Sequence, residues 1–224
     1  MPTAIWEMQG YWCYWHGGAG YSGVGLLINQ TLVPERPAFT HPPFDFEHRI
    51  VSAEVAGVTV TSTYVPNGGK DFPAKMRFLE ALDEFAASFQ ASGSPLVLCG
   101  DMNVARTEID VHPKERKPRA VGQLPEERAL FERIIGRGLV DVHRRMEPDN
   151  TELFTWWAPW RNMKERNIGW RLDYVLASAA VDGRAVSCTV QREFGTSDHG
   201  PVVAVFDFAA PSSTEQTSSG SAER

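Results

Sequence analysis

The spacing of apolar residues along the chain predicts a strand-rich protein with two clear helices. Residues 23–28 (GVGLLI) form a short apolar run after a glycine-rich turn, the pattern of a buried strand. Residues 49–55 (RIVSAEV) and 57–65 (GVTVTSTYV) are rich in β-branched side chains and meet at Ala56-Gly57, which predicts a tight hairpin. Val58, Val60 and Ser62 alternate with Thr59, Thr61 and Thr63, as a sheet with unlike faces requires. From 74 to 89 the period changes: Phe78, Leu79, Leu82, Phe85 and Phe89 fall on one helical stripe. The run SPLVLCGDMN returns to a short buried strand ending at Gly100. Pro125 opens a second helix, which Gly136 or Gly138 closes. Three more strands are expected at 171–177, 185–190 and 201–208. No internal repeat is visible. Many strands with few helices predict an α+β protein, two mixed sheets packed face to face with helices outside. Residues 210–224 lack large apolar side chains and are expected to form a disordered tail behind a domain of residues 1–209.

Composition narrows the class. Hydrophobic residues make up 42% and charged residues 22% of the 224, ordinary values that point away from disorder and from a membrane protein. No apolar run approaches the roughly 20 residues needed to span a bilayer, and the opening MPTAIWEMQG shows no secretory leader. Cys13, Cys99 and Cys188 are widely spaced without a CxxC pair, so neither a disulfide framework nor a zinc site is expected and a reducing compartment fits best. A net charge of −6 argues against coating nucleic acid through bulk charge. Local basic segments remain. Residues 161–171 carry Arg161, Lys164, Arg166 and Arg171 against Glu165 alone, interleaved or flanked by Trp157, Trp160 and Trp170, a mixture suited to phosphates and unstacked bases. Residues 106–119 carry five basic residues against three acidic ones. Either segment is also readable as a solvated loop.

Four short motifs carry candidate chemistry. Gly100-Asp101-Met102-Asn103 ends an apolar strand, where strand alternation would send Asp101 and Asn103 to one side to hold a water, an oxyanion or a metal. The plain alternative is an Asp/Asn turn. Ser197-Asp198-His199-Gly200-Pro201 precedes the last strand, with Asp198 suited to a hard cation and His199 to phosphate oxygens, or else it is a turn with a surface histidine. Asp173, in Trp170-Arg171-Leu172-Asp173-Tyr174, needs a partner among its aromatic neighbours, a cationic histidine or an arginine such as Arg171. Tyr64-Val65-Pro66-Asn67 sets a phenol and an amide at a strand end, and reads equally as a Pro-Asn-Gly turn. Each motif lies at the end or entry of a strand, and together they supply the parts of metal-assisted phosphodiester hydrolysis.

With these motifs in order, the sequence resembles the exonuclease III / apurinic-apyrimidinic endonuclease family of the endonuclease/exonuclease/phosphatase superfamily. The matching stretches are GYSGVGLLI (20–28), TYVPNGG (63–69), PLVLCGDMNVARTEID (95–110), NIGWRLDYVLAS (167–178) and SDHGPVVAVF (197–206), with FTWW (154–157) separating it from other superfamily members. The resemblance implies a DNase I-like four-layer α/β-sandwich. It also implies a DNA-repair phosphodiesterase of base excision repair that cleaves 5′ to abasic sites, or trims 3′ ends, with Mg²⁺ or Mn²⁺. By the same resemblance, Asp101 would activate the attacking water, Asn103 would bind that water or the developing oxyanion, and His199, oriented by Asp173, would contact the scissile phosphate. Asp198 would join the metal site, with Asp101, Asn103 and His199 in or beside it. Tyr64 and Asn67 would bind phosphate oxygens. Trp156, Trp170 and Leu172 would line a pocket for a flipped abasic sugar. The expected partner is duplex DNA with abasic sites or 3′ ends, handled by a monomer in the cytoplasm or, in a eukaryote, the nucleus.

One departure stands out. Family members begin with a strand carrying an Asn motif, then a helix, then a strand ending in Leu-Gln-Glu-x-Lys, whose Glu is a principal magnesium ligand. Neither motif occurs here, so the fold is expected to be N-terminally incomplete, with weak Mg²⁺ binding and an exposed sheet edge that a second chain could cover. Glu7 is a poor substitute and reads better as a surface residue before a strand. A fragment that begins too late is the favoured explanation. A member that binds abasic DNA without cutting it, or an enzyme with a rearranged metal site, are the alternatives, and a different superfamily phosphodiesterase or phosphatase is the competing function.

Overall fold

The computed structural model describes residues 7–18, 22–45 and 47–208. The expected tail at 210–224 lies outside them, as do Gly20 and Tyr21 of the glycine-rich turn. Among the described residues there are ten strands: β1 (Tyr11–Gly17), β2 (Gly23–Asn29), β3 (Phe39–Thr40), β4 (Ile50–Val55), β5 (Val58–Tyr64), β6 (Leu96–Asp101), β7 (Leu139–Asp141), β8 (Asp173–Ser178), β9 (Ala185–Val190) and β10 (Val202–Phe206). The same residues form the α-helices α1 (Phe72–Ser92), α2 (Pro125–Ile135), α3 (Val142–Met146) and α4 (Ala179–Asp182).

Six strands form one mixed sheet in the order β3-β4-β5-β6-β8-β7, in which only β5 and β6 run parallel. Antiparallel β4 and β5 turn at Ala56-Gly57, both at positive φ, as a tight hairpin demands. Return from β5 to a parallel neighbour needs a crossover, and α1 supplies it. The Asp71 side chain caps α1 by accepting the Ala74 N–H at 2.8 Å, with Pro73 in the first turn, so the helix outruns its apolar stripe at both ends.

The continuous apolar runs of β6 and β8 reflect burial on both faces. Leu96, Leu98, Tyr174 and Leu176 join Phe78, Leu79 and Leu82 of α1 and Leu130, Phe131 and Ile134 of α2 on one side. Val97, Val175 and Ala177 join Cys188 of β9 and half-buried Val202, Ala204 and Phe206 of β10 on the other. Period-2 alternation thus reads out a helix layer above and a strand layer below. The strand layer differs from a single second sheet. It consists of two separate hairpins, β1-β2 and β9-β10, and among the described residues no ladder joins them. Val203 and Val205 of β10 are exposed at this broken layer. Glu7 is exposed ahead of β1.

The aromatic run of β1 (YWCYWHG) carried no predictable strand signal because its positions are half-buried on both faces, leaving no alternation. β3, β7, α3 and α4 are too short for a period to register.

Candidate active site

Three neighbouring strands end at one rim of the large sheet. Tyr64 closes β5, Asp101 closes β6 and Asp173 opens antiparallel β8, and the register pairs Tyr64 with Asp101 and Asp101 with Asp173. Gly100 permits this: its φ is +135°, and a Cβ there would stand 1.9 Å from the Thr63 carbonyl oxygen. Strand alternation is not what unites Asp101 and Asn103, because β6 stops at Asp101. Asn103 turns back with φ 51°, donating its backbone N–H to Asp101 Oδ1 at 2.8 Å and its Nδ2 to Oδ2 at 2.9 Å. Nδ2 also donates to the Val65 carbonyl at 2.9 Å, while Oδ1 accepts from Asn67 Nδ2 at 3.1 Å. The Asn103 amide is therefore occupied in holding Asp101 and Asn67.

Asp173 takes the histidine, not the arginine: His199 Nδ1 lies 2.8 Å from Asp173 Oδ2. Arg171 is buried elsewhere, donating to Asp110 at 2.7 Å and to both oxygens of Asp141 at 2.8 and 2.7 Å. Thr155, fully buried, is the hub of this corner. Its hydroxyl oxygen accepts the N–H groups of Leu172 and Asp173, both at 2.9 Å, and its carbonyl accepts the Gly200 N–H at 2.8 Å. Backbone bridges from Trp156 to Trp170 and to His199 complete the tie between the loops. Asp198 is exposed, and its Oδ2 accepts Trp156 Nε1 at 3.0 Å.

The electrostatics follow from this crowding. Burial pushes the Asp101 carboxyl up to about 7, the charge of Asp173 adds to the rise, and His199, the Asn103 N–H and Lys75 oppose it. For His199, burial disfavours the cation, but the hydrogen bond and charge of Asp173, with Asp101 and Asp198 behind it, outweigh burial and raise its pKa.

A cavity of about 300 Å³ opens over this rim, walled by Tyr64, Asn67, Asp101, Asn103, Trp156, Trp170, Leu172, Asp198 and His199, with Val121 and Gly122. Nine of the ten residues expected from the sequence share it. Asp173 stands behind His199, lining a neighbouring cavity of about 630 Å³ with Cys99, Gly100 and Tyr174. Trp156 and Trp170 meet edge to face at 5.7 Å, forming an apolar corner. A larger cavity of about 820 Å³, lined by His143, Glu147, Phe154 and Trp157, holds none of these groups.

Several sequence readings change in the folded chain. Trp157 belongs to a core cluster with Phe154 and Met163 and offers no face to a base, whereas Trp160 is exposed. Arg171 leaves the basic segment for its buried ion pairs, and Arg106 is bound to Glu132. Lys114, Lys117 and Arg119 stay exposed. Three supporting residues, Lys75, Glu127 and Thr155, are not among the site residues read from the sequence. Lys75 is fully buried, paired with Glu127, and donates to the Asn103 carbonyl at 2.7 Å. Burial lowers its pKa, against the raising effect of Glu127. The signal was present: a lysine four residues before Leu79, inside the apolar stripe of α1. Glu127 in turn accepts the N–H groups of Gly122 and Leu124 at 2.7 and 3.0 Å. Thr155 carried no comparable signal.

Among the described residues, one group of three His, Cys, Asp or Glu side chains brings its donor atoms within 4.8 Å of one another, and it is His16, His41 and Asp45, away from this cavity. The carboxylates that line the cavity are Asp101 and Asp198. No helix among the described residues is long and apolar enough to cross a membrane.

Comparison with known proteins shows the family. Exodeoxyribonuclease of Bacillus subtilis is 31% identical over 202 residues, covering 88% of this chain and 79% of that protein. DNA repair nuclease APEX1 of Danio rerio is 34% identical over 196 residues, 84% of this chain, which spans only 63% of the relative's length. The structure of an AP endonuclease from Archaeoglobus fulgidus superposes with a TM-score of 0.77 at 33% identity, covering 92% of this chain and 83% of that one. Residues 2–199 match the Endonuclease/Exonuclease/phosphatase family, and a match running through every strand-end motif at this rim means that the chain belongs to it.

Proposed function

We propose that the chain is a DNA-repair phosphodiesterase that cleaves the backbone of duplex DNA 5′ to abasic sites and removes nucleotides from 3′ ends. The observation that carries this reading is the meeting of Asp101, Tyr64 and the Asp173–His199 pair at one sheet rim, beside an apolar corner of Trp156, Trp170 and Leu172. A cavity of about 300 Å³ suits a sugar without its base. Asp101, its carboxylate held at the rim by Asn103, would take a proton from the attacking water. Asn103 aims the Asp101 carboxylate through two hydrogen bonds, so its part is to position the base. His199, whose cationic form Asp173 favours, donates from its other ring nitrogen to the scissile phosphate. Tyr64 and Asn67 contact phosphate oxygens, Tyr64 beside the leaving group.

The donor set suits a hard divalent cation, because the buried Asp101 carboxylate, paired in register with the charge of Asp173, is costly to ionise in the absence of positive charge. Mg²⁺ or Mn²⁺ would be held by Asp101 and Asp198, with Asn103 and His199 beside it and water and phosphate completing the shell. When bound it would supply Lewis-acid charge to the phosphoryl oxygens. The substrate would be met in the cytoplasm of a bacterium or the nucleus of a eukaryote.

Incision of a duplex carrying one abasic site, with Mg²⁺ and with EDTA, tests the proposal, alongside a recessed 3′ end. Mg²⁺-dependent incision or trimming is expected. Tight abasic-DNA binding without cleavage, or faster turnover of a phosphoinositide or sphingomyelin, would overturn it.

A further inference from the structure

We propose that His16, His41 and Asp45 form a binding site for a single divalent transition-metal ion of the zinc type, which pins β1 to the turn leading into β4. The three residues come from separate places: His16 near the end of β1, His41 just past β3, and Asp45 in the following turn. Their donor atoms lie within 4.8 Å of one another and all three residues are half-buried.

The Asp45 carboxylate is almost wholly enclosed, its side chain 4% exposed. Oδ1 accepts the Arg49 N–H at 2.6 Å. That leaves Oδ2 for the imidazoles. His16 Nε2 is in direct contact with it, and His41 Nδ1 is 3.7 Å away. The two rings stack with centroids 3.8 Å apart and 28° between planes. The enclosed Asp45 oxygen and the two stacked imidazoles thus converge on one point, where a divalent ion would meet three donors at once and balance the carboxylate's charge.

Outer partners are already in place for His41. Its Nε2 lies 2.7 Å from the Tyr14 hydroxyl and its Nδ1 lies 3.0 Å from the Ile50 carbonyl oxygen, so whichever nitrogen meets the ion, the other has a group to hold its proton. Two nitrogens and one carboxylate oxygen favour Zn²⁺ over Mg²⁺ or Ca²⁺, which take oxygen shells. A three-residue set leaves the fourth tetrahedral position to water. The site is structural in its consequences: Arg49, bound to Asp45, places its guanidinium over the Tyr64 ring at 4.9 Å, so the ion would brace the segment beside the active-site rim.

The test is Zn²⁺ titration of the chelator-stripped chain against a chromophoric chelator, with Co²⁺ as a spectroscopic probe. One tight equivalent per chain and the visible bands of four-coordinate Co²⁺ are expected. His16→Gln and Asp45→Asn should each weaken Zn²⁺ by roughly 100-fold or more, the upper range seen for losing an outer partner alone, and should abolish the Zn²⁺-dependent rise in melting temperature. Asp45→Asn keeps an acceptor for the Arg49 N–H, and far-UV circular dichroism checks that both variants fold. Asp101→Asn should retain the tight equivalent. Absence of a tight equivalent, a purely six-coordinate Co²⁺ spectrum, or a tight equivalent lost in Asp101→Asn and kept in the His16 and Asp45 variants would each overturn the proposal.

Discussion

His199 Nδ1 sits 2.8 Å from Asp173 Oδ2, and the backbone N–H of that same Asp173 is anchored on the Thr155 hydroxyl at 2.9 Å. The pair is thus held from both sides, by a side chain across the cavity and by a buried hydroxyl behind the strand. The raised pKa of His199 depends on this arrangement.

The pair makes a prediction about pH. A histidine whose folded pKa lies above its unfolded one contributes stability at low pH, and that contribution disappears as pH rises through the folded value. His199→Gln should therefore lower the melting temperature below pH 6.5 and match the parent at high pH. Asp173→Asn should move the alkaline limb of the cleavage-rate profile to lower pH. An unmoved limb would show that Asp173 does not tune His199.

Asp101 shifts stability with pH in the same direction, because its charged form is the one that burial disfavours. A carboxyl raised from 3.8 to about 7 binds its proton more tightly in the folded chain, so stability falls as pH climbs across that window. Without divalent cations, Asp101→Asn should melt higher than the parent at pH 8, and the gap should close near pH 4. Cleavage should fall on the order of 10²–10⁴-fold. Thermal melts and single-turnover rates on one preparation check both halves.

Lys75 and Glu127 are fully enclosed together. Removing one partner strands the other, so Lys75→Met should destabilise the chain by about 3–5 kcal/mol in denaturant unfolding. Lys75→Met combined with Glu127→Gln should recover part of that loss. Since Lys75 also holds the Asn103 carbonyl, the double variant should remain slow in cleavage even where it is stable.

Thr155→Val keeps the shape and removes the acceptor of two backbone N–H groups. A cost of about 1–3 kcal/mol for each donor left unsatisfied is expected. Thr155→Ser retains the oxygen and should restore both stability and rate, which separates the hydrogen bonds from the packing.

Local signals were legible where local physics decides. The hairpin at Ala56-Gly57, the start of α2 at Pro125 and the turn after Gly100 depend on residues a few positions apart. Alternation in β5 and the stripe of α1 report which side is covered without saying by what. β1 escaped because both its faces are half-buried, and β7 because three residues carry no period.

Which residues gather at the rim was likewise readable, since strand ends collect polar groups that a buried strand cannot hold. Their connections were not. Whether Asp173 would take His199 or Arg171 depended on where Asp110 and Asp141 lay, and they proved to surround the arginine. Lys75 broke the apolar pattern of its helix, but its reason, Glu127 and the Asn103 carbonyl, lies 52 and 28 positions away. His16, His41 and Asp45 look unremarked in three loops and strands until the hairpins fold together. By itself the sequence determined the longer elements other than β1, the sandwich class and the residues available at the rim, because these rest on short-range spacing and turn chemistry. Tertiary structure alone decided which charges meet, how the strand layer divides into two hairpins, and where buried donors find acceptors, because those depend on register and packing between segments distant along the chain.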